Sequence, residues 1–263
     1  MSDMHVQRLR YKAIPASFID LMEGSIVEVE TPHFHAHLAR GELILEMRTH
    51  FASEVEARLL ADPFVDGWAI VSGLRRGRAE ICFEFINADI IDRSPAPNEG
   101  NYAWGAIRLP AIQVHMTGTA LPIKKGYPKP SPNFSATPEV QILWARYQAY
   151  IDGREPLLSV AYFCLTFVEV LAGGGAQRAS EKYKISRKVF ERIGSLTGER
   201  GDYLTARKVV SEAPPKPLTQ EDLRWLDAAI RIIIRRLGEP PTDADEMVTV
   251  DGILNSGLIA LDY

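Results

Sequence analysis

Two cysteines in 263 residues, Cys82 and Cys164, rule out a disulfide-built scaffold. Each sits in an apolar run (ICFEF and AYFCLTF), so each is expected to be a small buried hydrophobe in a reducing compartment. Long hydrophobic runs are also missing. The longest, LLSVAYFCLTFVEVLAG, is interrupted by Glu169 and is short for a membrane span, so it is read as a buried helix. The opening residues, MSDMHVQRLRYKAIP, hold no apolar stretch of the kind a secretory signal needs, and a cytoplasmic location is expected. Strong charge of one sign is lacking too. The formal net charge is −4, which excludes a molecule whose whole surface attracts nucleic acid; any basic surface must be local. The Gly-x-Ser-x-Gly elbow, the phosphate-binding Walker loop and the dinucleotide fingerprint are all absent, so the familiar routes to acyl transfer, nucleotide hydrolysis and hydride transfer have no sequence support.

What is present starts with alternation. Residues 25–31 (SIVEVET), 33–39 (HFHAHLA) and 42–50 (ELILEMRTH) each alternate apolar with polar, separated by Thr31-Pro32 and Arg40-Gly41. Period 2 broken by turn residues predicts an antiparallel meander. Centring the second loop on Arg40-Gly41 sets Leu38 opposite Leu43, Ala36 opposite Leu45 and Phe34 opposite Met47. On the other face His37 then meets Ile44, His35 meets Glu46 and His33 meets Arg48. A one-residue slip would bury the charges, so this register is favoured. Further on, Ser53 reads as a helix cap, and Pro63 predicts two short helices or a kink. RAEICFEF and AIQVHMTGTA read as strands, with Asn87 marking a bulge after the first.

Prolines at 122, 128, 130, 132 and 138 predict an extended linker, after which the chain reads as helical. Thr137 caps the first of these helices with Pro138 at its first position. A second, apolar nearly all round, runs from about Pro156 to Ala172 and is expected at the centre of a bundle. Residues 176–197 read as one or two helices, broken near Ile185-Ser186. A last helix opens at Thr219, with Glu221 and Asp222 in its first turn and Arg235 and Arg236 in its last, matching the helix dipole. The expected fold is α+β: residues 1–120 an antiparallel β-meander with helices, 121–138 a proline-rich linker, 139–240 an all-α bundle, and 241–263 a docked tail.

Two groups of residues could carry chemistry. His33, His35 and His37 are half the histidines of the chain. Alternate strand residues project the same way, about 6.7 Å apart, and two such imidazoles can hold one zinc or another divalent transition metal. A third ligand would have to come from elsewhere, and Glu28, Glu30 and Glu46 could lie on the same face. The competing reading is the solvated face of an amphipathic strand, with no cofactor at all. The second group is basic. Between residues 178 and 208 lie Arg178, Lys182, Lys184, Arg187, Lys188, Arg192, Arg200, Arg207 and Lys208, against Glu181, Glu191, Glu199 and Asp202. Such a face can contact phosphates, or be merely solvated. GLRRGR at 73–78 reads as a basic turn, and GGGAQ at 173–177 as a helix stop.

The segment ASEKYKISRKVFERI, residues 179–193, resembles a helix-turn-helix unit. Ser180 matches the small residue where the helices cross, Ile185 the apolar turn residue, and Phe190 and Ile193 the inward residues of the second helix. Lys184 stands where that pattern usually has glycine. The resemblance implies that Arg187, Lys188 and Arg192 face DNA. Residues 157–237 look like the helical bundle of the HEPN superfamily, through AYFCLTFVEVL, TARKVV and PLTQEDLRWLDAAIRIIIRRL. That resemblance implies a protein of toxin or phage-defence systems. Active members carry Arg, a polar residue and, about five positions after the Arg, His. Here Arg207 and Lys208 match the first two, while Glu212 stands in the place of the His. An RNase of that type is therefore not implied, and a non-catalytic binding bundle is.

The sequence thus points first to a non-enzymatic binding or regulatory protein, with nucleic acid or a partner protein at Arg187, Lys188, Arg192, Arg207 and Lys208. The alternatives are a metal-dependent enzyme on His33, His35 and His37, or a structural subunit whose aromatic linker (Tyr127, Phe134, Trp144) docks a partner. A homo-oligomer fits any of the three; a membrane partner fits none.

Overall fold

The computed structural model describes residues 3–17, 19–21, 25–94, 123–131, 133–200 and 217–254. The chain divides into two compact units, Met1–Ala61 with Phe83–Tyr127, and Asp62–Cys82 with Pro128–Tyr263. The fold is α+β.

The first unit holds an antiparallel sheet. Strands β1 (Met4–Pro15), β3 (Ile26–Glu30), β4 (Phe34–Ala39), β5 (Glu42–Met47) and β6 (Ile81–Asp92) form it in the order β3-β4-β5-β1-β6. The predicted β4/β5 register is the one found: Phe34 faces Met47, Ala36 Leu45, Leu38 Leu43, His35 Glu46 and His37 Ile44. Arg40 and Gly41 both take positive φ at the tip. On one side Phe34, Ala36, Leu38, Leu43, Leu45, Leu9 and Tyr11 are buried. Phe85 meets Tyr11 edge-on, and the Arg58 guanidinium lies 4.2 Å over the Phe85 ring. Short strands β2 (Ile19–Leu21) and β7 (Ile123–Lys125) pair in parallel.

Helix α1 (Glu54–Leu74) corrects the expectation of two short helices at Pro63: it is a single helix through the proline. Ser53 Oγ caps it, accepting from the Glu56 N–H at 3.3 Å. Proline removes one helical donor, and the acceptor it leaves unused belongs to Leu59, an exposed residue that water can reach. β6 runs through Asn87 as one strand. Cys82 is a further correction: it is exposed, while Cys164 is fully buried, and burial pushes its thiol up to about 12. The candidate strand AIQVHMTGTA lies outside the described residues.

In the second unit, α2 (Pro138–Ile151), α3 (Leu157–Leu171), α4 (Ala176–Tyr183), α5 (Arg187–Glu199) and α6 (Gln220–Gly238) share one apolar cluster with Ile70 and Leu74 of α1. Thr137 caps α2, and Thr219 with Asp222 forms a reciprocal capping box on α6. α3, expected at the centre, packs against α2, α4, α5 and α6, and α6 is buried without a break from Trp225 through Ile234. Its two charged residues in that run lie four apart and neutralise each other. Arg231 and Asp227 form an ion pair, Tyr147 Oη donates to Asp227 Oδ1 at 2.7 Å, and Arg231 Nη1 donates to the Leu74 and Arg75 carbonyls.

The proline-rich segment is held rather than free. Tyr127 N–H donates to Ser25 Oγ, and Gly41 N–H to Tyr127 Oη, within the first unit. In the second, Trp68 Nε1 donates to the Pro128 carbonyl, Ala136 N–H to Pro63 and Ser135 N–H to Gly238. Phe134 is buried against Gly238, where an added Cβ would lie 2.4 Å from its ring. Trp144 packs partly buried on the same helical core. Prolines restrict φ without preventing these contacts, because the residues between them supply the donors and the apolar anchor.

Candidate functional site

The histidines occupy the polar face of the sheet. His37 Nδ1 lies 3.3 Å from Glu28 Oε1, and His35 Nε2 lies 3.7 Å from Glu30 Oε1; strand β3 supplies both carboxylates directly across from β4. His33 precedes β4, and its Nδ1 is 3.2 Å from Thr49 Oγ1. Around them Arg48 pairs with Glu30, Arg8 with Glu46 at 2.9 Å, and Arg10 with both Glu42 and Asp89 at 3.1 Å. Each carboxylate of this face that the metal reading needs is engaged by a histidine or an arginine. Among the described residues no three His, Cys, Asp or Glu side chains converge as a metal site.

A different histidine pair was not visible in the sequence. His5 of β1 is 1% exposed and stacks on His50 at 5.3 Å, although 45 residues separate them. Neither ring nitrogen of His5 has a hydrogen-bond partner among the described residues. Burial, with Arg93 and His50 nearby and Asp3 opposing, holds its pKa below the ordinary histidine value.

The basic segment folds as two helices around a three-residue turn. α4 ends at Tyr183, Lys184 takes the left-handed conformation (φ 51°, ψ 43°), and α5 starts at Arg187. Lys184 therefore adopts the geometry for which glycine is usually chosen, at a modest conformational cost of about 1 kcal/mol. Ile185 at the turn, Ser180 of α4, and Phe190 and Ile193 of α5 are all buried.

The outer side of α5 carries the charge. Arg187 is 61% exposed and pairs with Glu191 four residues on, at 2.7 Å. Lys188 is exposed and makes no hydrogen bond or ion pair among the described residues. No side chain caps the amino end of α5, and in its first turn the Val189 N–H donates to the Ser186 carbonyl at 2.8 Å. Arg192 is used inside the unit instead: its guanidinium lies 4.4 Å over the Trp225 ring and 3.7 Å from Asp222. Arg178 and Lys182 donate to the Gly173 and Leu171 carbonyls, closing the carboxyl end of α3. Arg207, Lys208 and Glu212 lie outside the described residues. Of the five predicted contact residues, two, Arg187 and Lys188, thus stand together on an open helical face.

The tail meets this turn. Ser186 N–H donates to the Val248 carbonyl at 2.8 Å, and Val248 N–H to the Lys184 carbonyl at 2.9 Å, making an isolated parallel bridge to Ile185. Farther along, Trp225 Nε1 donates to the Val250 carbonyl and Ile253 is fully buried. An open cleft of about 950 Å³ runs between the end of α6 and the tail. Its two arginines are already engaged, Arg235 with Glu239 at 3.4 Å and Arg236 with Asp245 at 3.7 Å.

No single helix among the described residues is long and apolar enough to cross a membrane. No family model, curated protein or solved structure matches this chain.

Proposed function

We propose that the chain is a non-enzymatic binding or regulatory protein that contacts double-stranded DNA through the outer face of α5. The observation that carries this reading is the α4–Lys184-Ile185-Ser186–α5 turn, whose second helix presents Arg187 and Lys188 beside an uncapped amino end. Helix amino termini attract phosphate, and flanking bases add point charges for it. A protein with net charge −4 needs such a local patch to approach DNA at all. The HEPN-like pattern of residues 157–237, with Glu212 in the place of the catalytic His, supports a binding role in a toxin or defence setting over that of an RNase.

The test is fluorescence anisotropy of a labelled 25-base-pair duplex titrated with the full chain from 50 to 200 mM salt. Binding that weakens with rising salt, at a slope of about −0.9 per phosphate contacted, and that is lost in Arg187→Glu/Lys188→Glu, supports the proposal. Equal affinity of wild type and variant, or no binding at 50 mM salt, overturns it. Retention of a protein partner by wild type but not by the variant would assign the same face to protein recognition.

A further inference from the structure

The segment that docks on the α4–α5 turn is strongly acidic. Residues 239–254 hold Glu239, Asp243, Asp245, Glu246 and Asp251, and no lysine or arginine. Residues 176–200 hold seven bases against three acids. Charge of opposite sign is therefore brought to the start of α5 by the chain itself.

Backbone pairing fixes this arrangement. The two hydrogen bonds between Val248 and the Lys184–Ser186 turn set the tail's register. Thr242 donates its N–H and its hydroxyl to Asp245, at 2.6 and 2.7 Å, which closes a tight turn at 242–245. Arg236 holds the next residue by donating to the Glu246 carbonyl at 3.1 Å. Between these anchors Asp243 is fully exposed, and its Oδ1 lies 3.7 Å from Lys184 Nζ. Lys184 is the residue in the left-handed turn, three positions before Arg187. The Glu246 carboxylate is exposed and has no ion-pair partner among the described residues. Asp245 and Glu239 serve the tail's own turns and ion pairs. Asp243 and Glu246 serve no fold-determining contact of that kind.

We infer that the acidic tail is a built-in competitor of phosphate: Asp243 and Glu246 occupy the electrostatic field at the amino end of α5 and hold nucleic-acid binding there below what the basic face alone would give. The inference rests on the reading of α5 as a nucleic-acid contact. Its physical basis is range. At physiological salt charges act over about 8 Å, so a carboxylate paired with Lys184 cancels a positive charge that a phosphate would otherwise meet. Loss of that cancellation strengthens attraction and adds to the counterions released on binding.

Deleting the tail is a poor experiment, because Ile253 is buried and Val250 accepts from Trp225. The charges can be removed in place. Asp243→Asn/Glu246→Gln keeps the shape, the turn at Thr242 and the bridge at Val248. Thermal denaturation first checks that its midpoint matches wild type. The same 25-base-pair duplex is then titrated with wild type, with Asp243→Asn/Glu246→Gln, with Lys188→Glu, and with Asp251→Asn as the loss of one tail charge farther along the chain. The expected result is roughly three- to tenfold tighter binding for the double variant, a steeper salt slope, and no such gain for Asp251→Asn. Wild-type binding that Lys188→Glu weakens but the double variant leaves unchanged overturns the competitor while the α5 reading stands. A logarithmic gain for Asp251→Asn of half the double variant's or more also overturns it, since net charge alone would then be responsible. Binding by the double variant when wild type shows none supports it in its strongest form. Absence of binding by every protein overturns both readings.

Discussion

The polar face of the sheet and the outer face of α5 look alike as strings of residues, since each interleaves ionisable groups with apolar ones at the period of its element. They differ in what surrounds each charge. On the sheet, neighbouring strands bring a partner of opposite sign within reach: Glu28 for His37, Glu30 for His35 and Arg48, Glu46 for Arg8. On the outer face of α5, Arg187 finds only Glu191 on its own helix and Lys188 finds no partner among the described residues. Antiparallel pairing forces side chains of adjacent strands together every second residue, whereas an outward helical face has no neighbour at all. A charge pattern on a strand is thus more readily compensated by the fold. The same pattern on an outer helix is left for something else to meet.

The helical unit also contains the opposite extreme, and breaking it gives the largest expected effect. Arg231 and Asp227 are at most 1% exposed. Asp227→Ala would leave a guanidinium buried without its countercharge and strip Tyr147 Oη of its acceptor. A loss of about 3–5 kcal/mol is expected, read as a lowered denaturant midpoint. If the variant is as stable as wild type, water or another group reaches Arg231 and the enclosure of α6 is less complete than described. Next in size is the contrast between the two faces. Arg187→Glu/Lys188→Glu should weaken duplex binding by at least about tenfold, as loss and reversal of two phosphate-facing charges requires. His35→Ala/His37→Ala should leave the same titration unchanged. Equal losses in both variants would erase the distinction between compensated and uncompensated charge.

The parts of the molecule that could be read in advance are those where one short pattern has one physical solution. The β4/β5 register followed from burying Phe34, Ala36 and Leu38 together, because any odd slip puts Glu46 in the core. The caps at Ser53, Thr137 and Thr219 and the break at Lys184–Ser186 were legible for the same local reason. Pro63 was not, since whether a proline ends a helix depends on whether water can take over the freed Leu59 carbonyl. Nor was the enclosure of α6. Its sequence shows charges four apart, and only packing decides whether such a pair turns outward or closes on itself. At the candidate site, Arg187 and Lys188 were legible as an outward pair, but Arg192 was not separable from them. Its fate was set by Trp225 and Asp222, some thirty residues away. The tail's approach to Lys184 left no local trace at all.

A smaller effect is expected at His5, and it is the one with a pH signature. The folded unit favours its neutral ring, because burial and the nearby Arg93 and His50 oppose a proton more strongly than Asp3 invites one. The unfolded chain therefore binds more protons than the folded one just below the ordinary histidine value of 6.5. Stability contributed this way is fully present above that value and falls as pH drops through it toward the lowered folded value. His5→Phe keeps a stacked ring without the titration. Its thermal midpoint should fall less than that of wild type between pH 7 and 5. Parallel curves would mean that His5 meets a proton as readily folded as unfolded.

The smallest effect belongs to the histidines of the sheet's polar face. His37 and Glu28 are both well exposed, at 36% and 62% of their side chains. An exposed pair of this kind contributes about 0–1 kcal/mol. A double-mutant cycle with His37→Ala and Glu28→Ala should return a coupling in that range that shrinks as salt rises, as screening between exposed charges demands. Elemental analysis beside it makes the comparison decisive. A compensated strand face predicts no stoichiometric zinc, iron or manganese in wild type, and none to lose in His35→Ala. One metal per chain, absent from that variant, would mean that Glu28 and Glu30 are ligands waiting for an ion rather than partners for a ring. The sheet, and not α5, would then be the face with chemistry left to do.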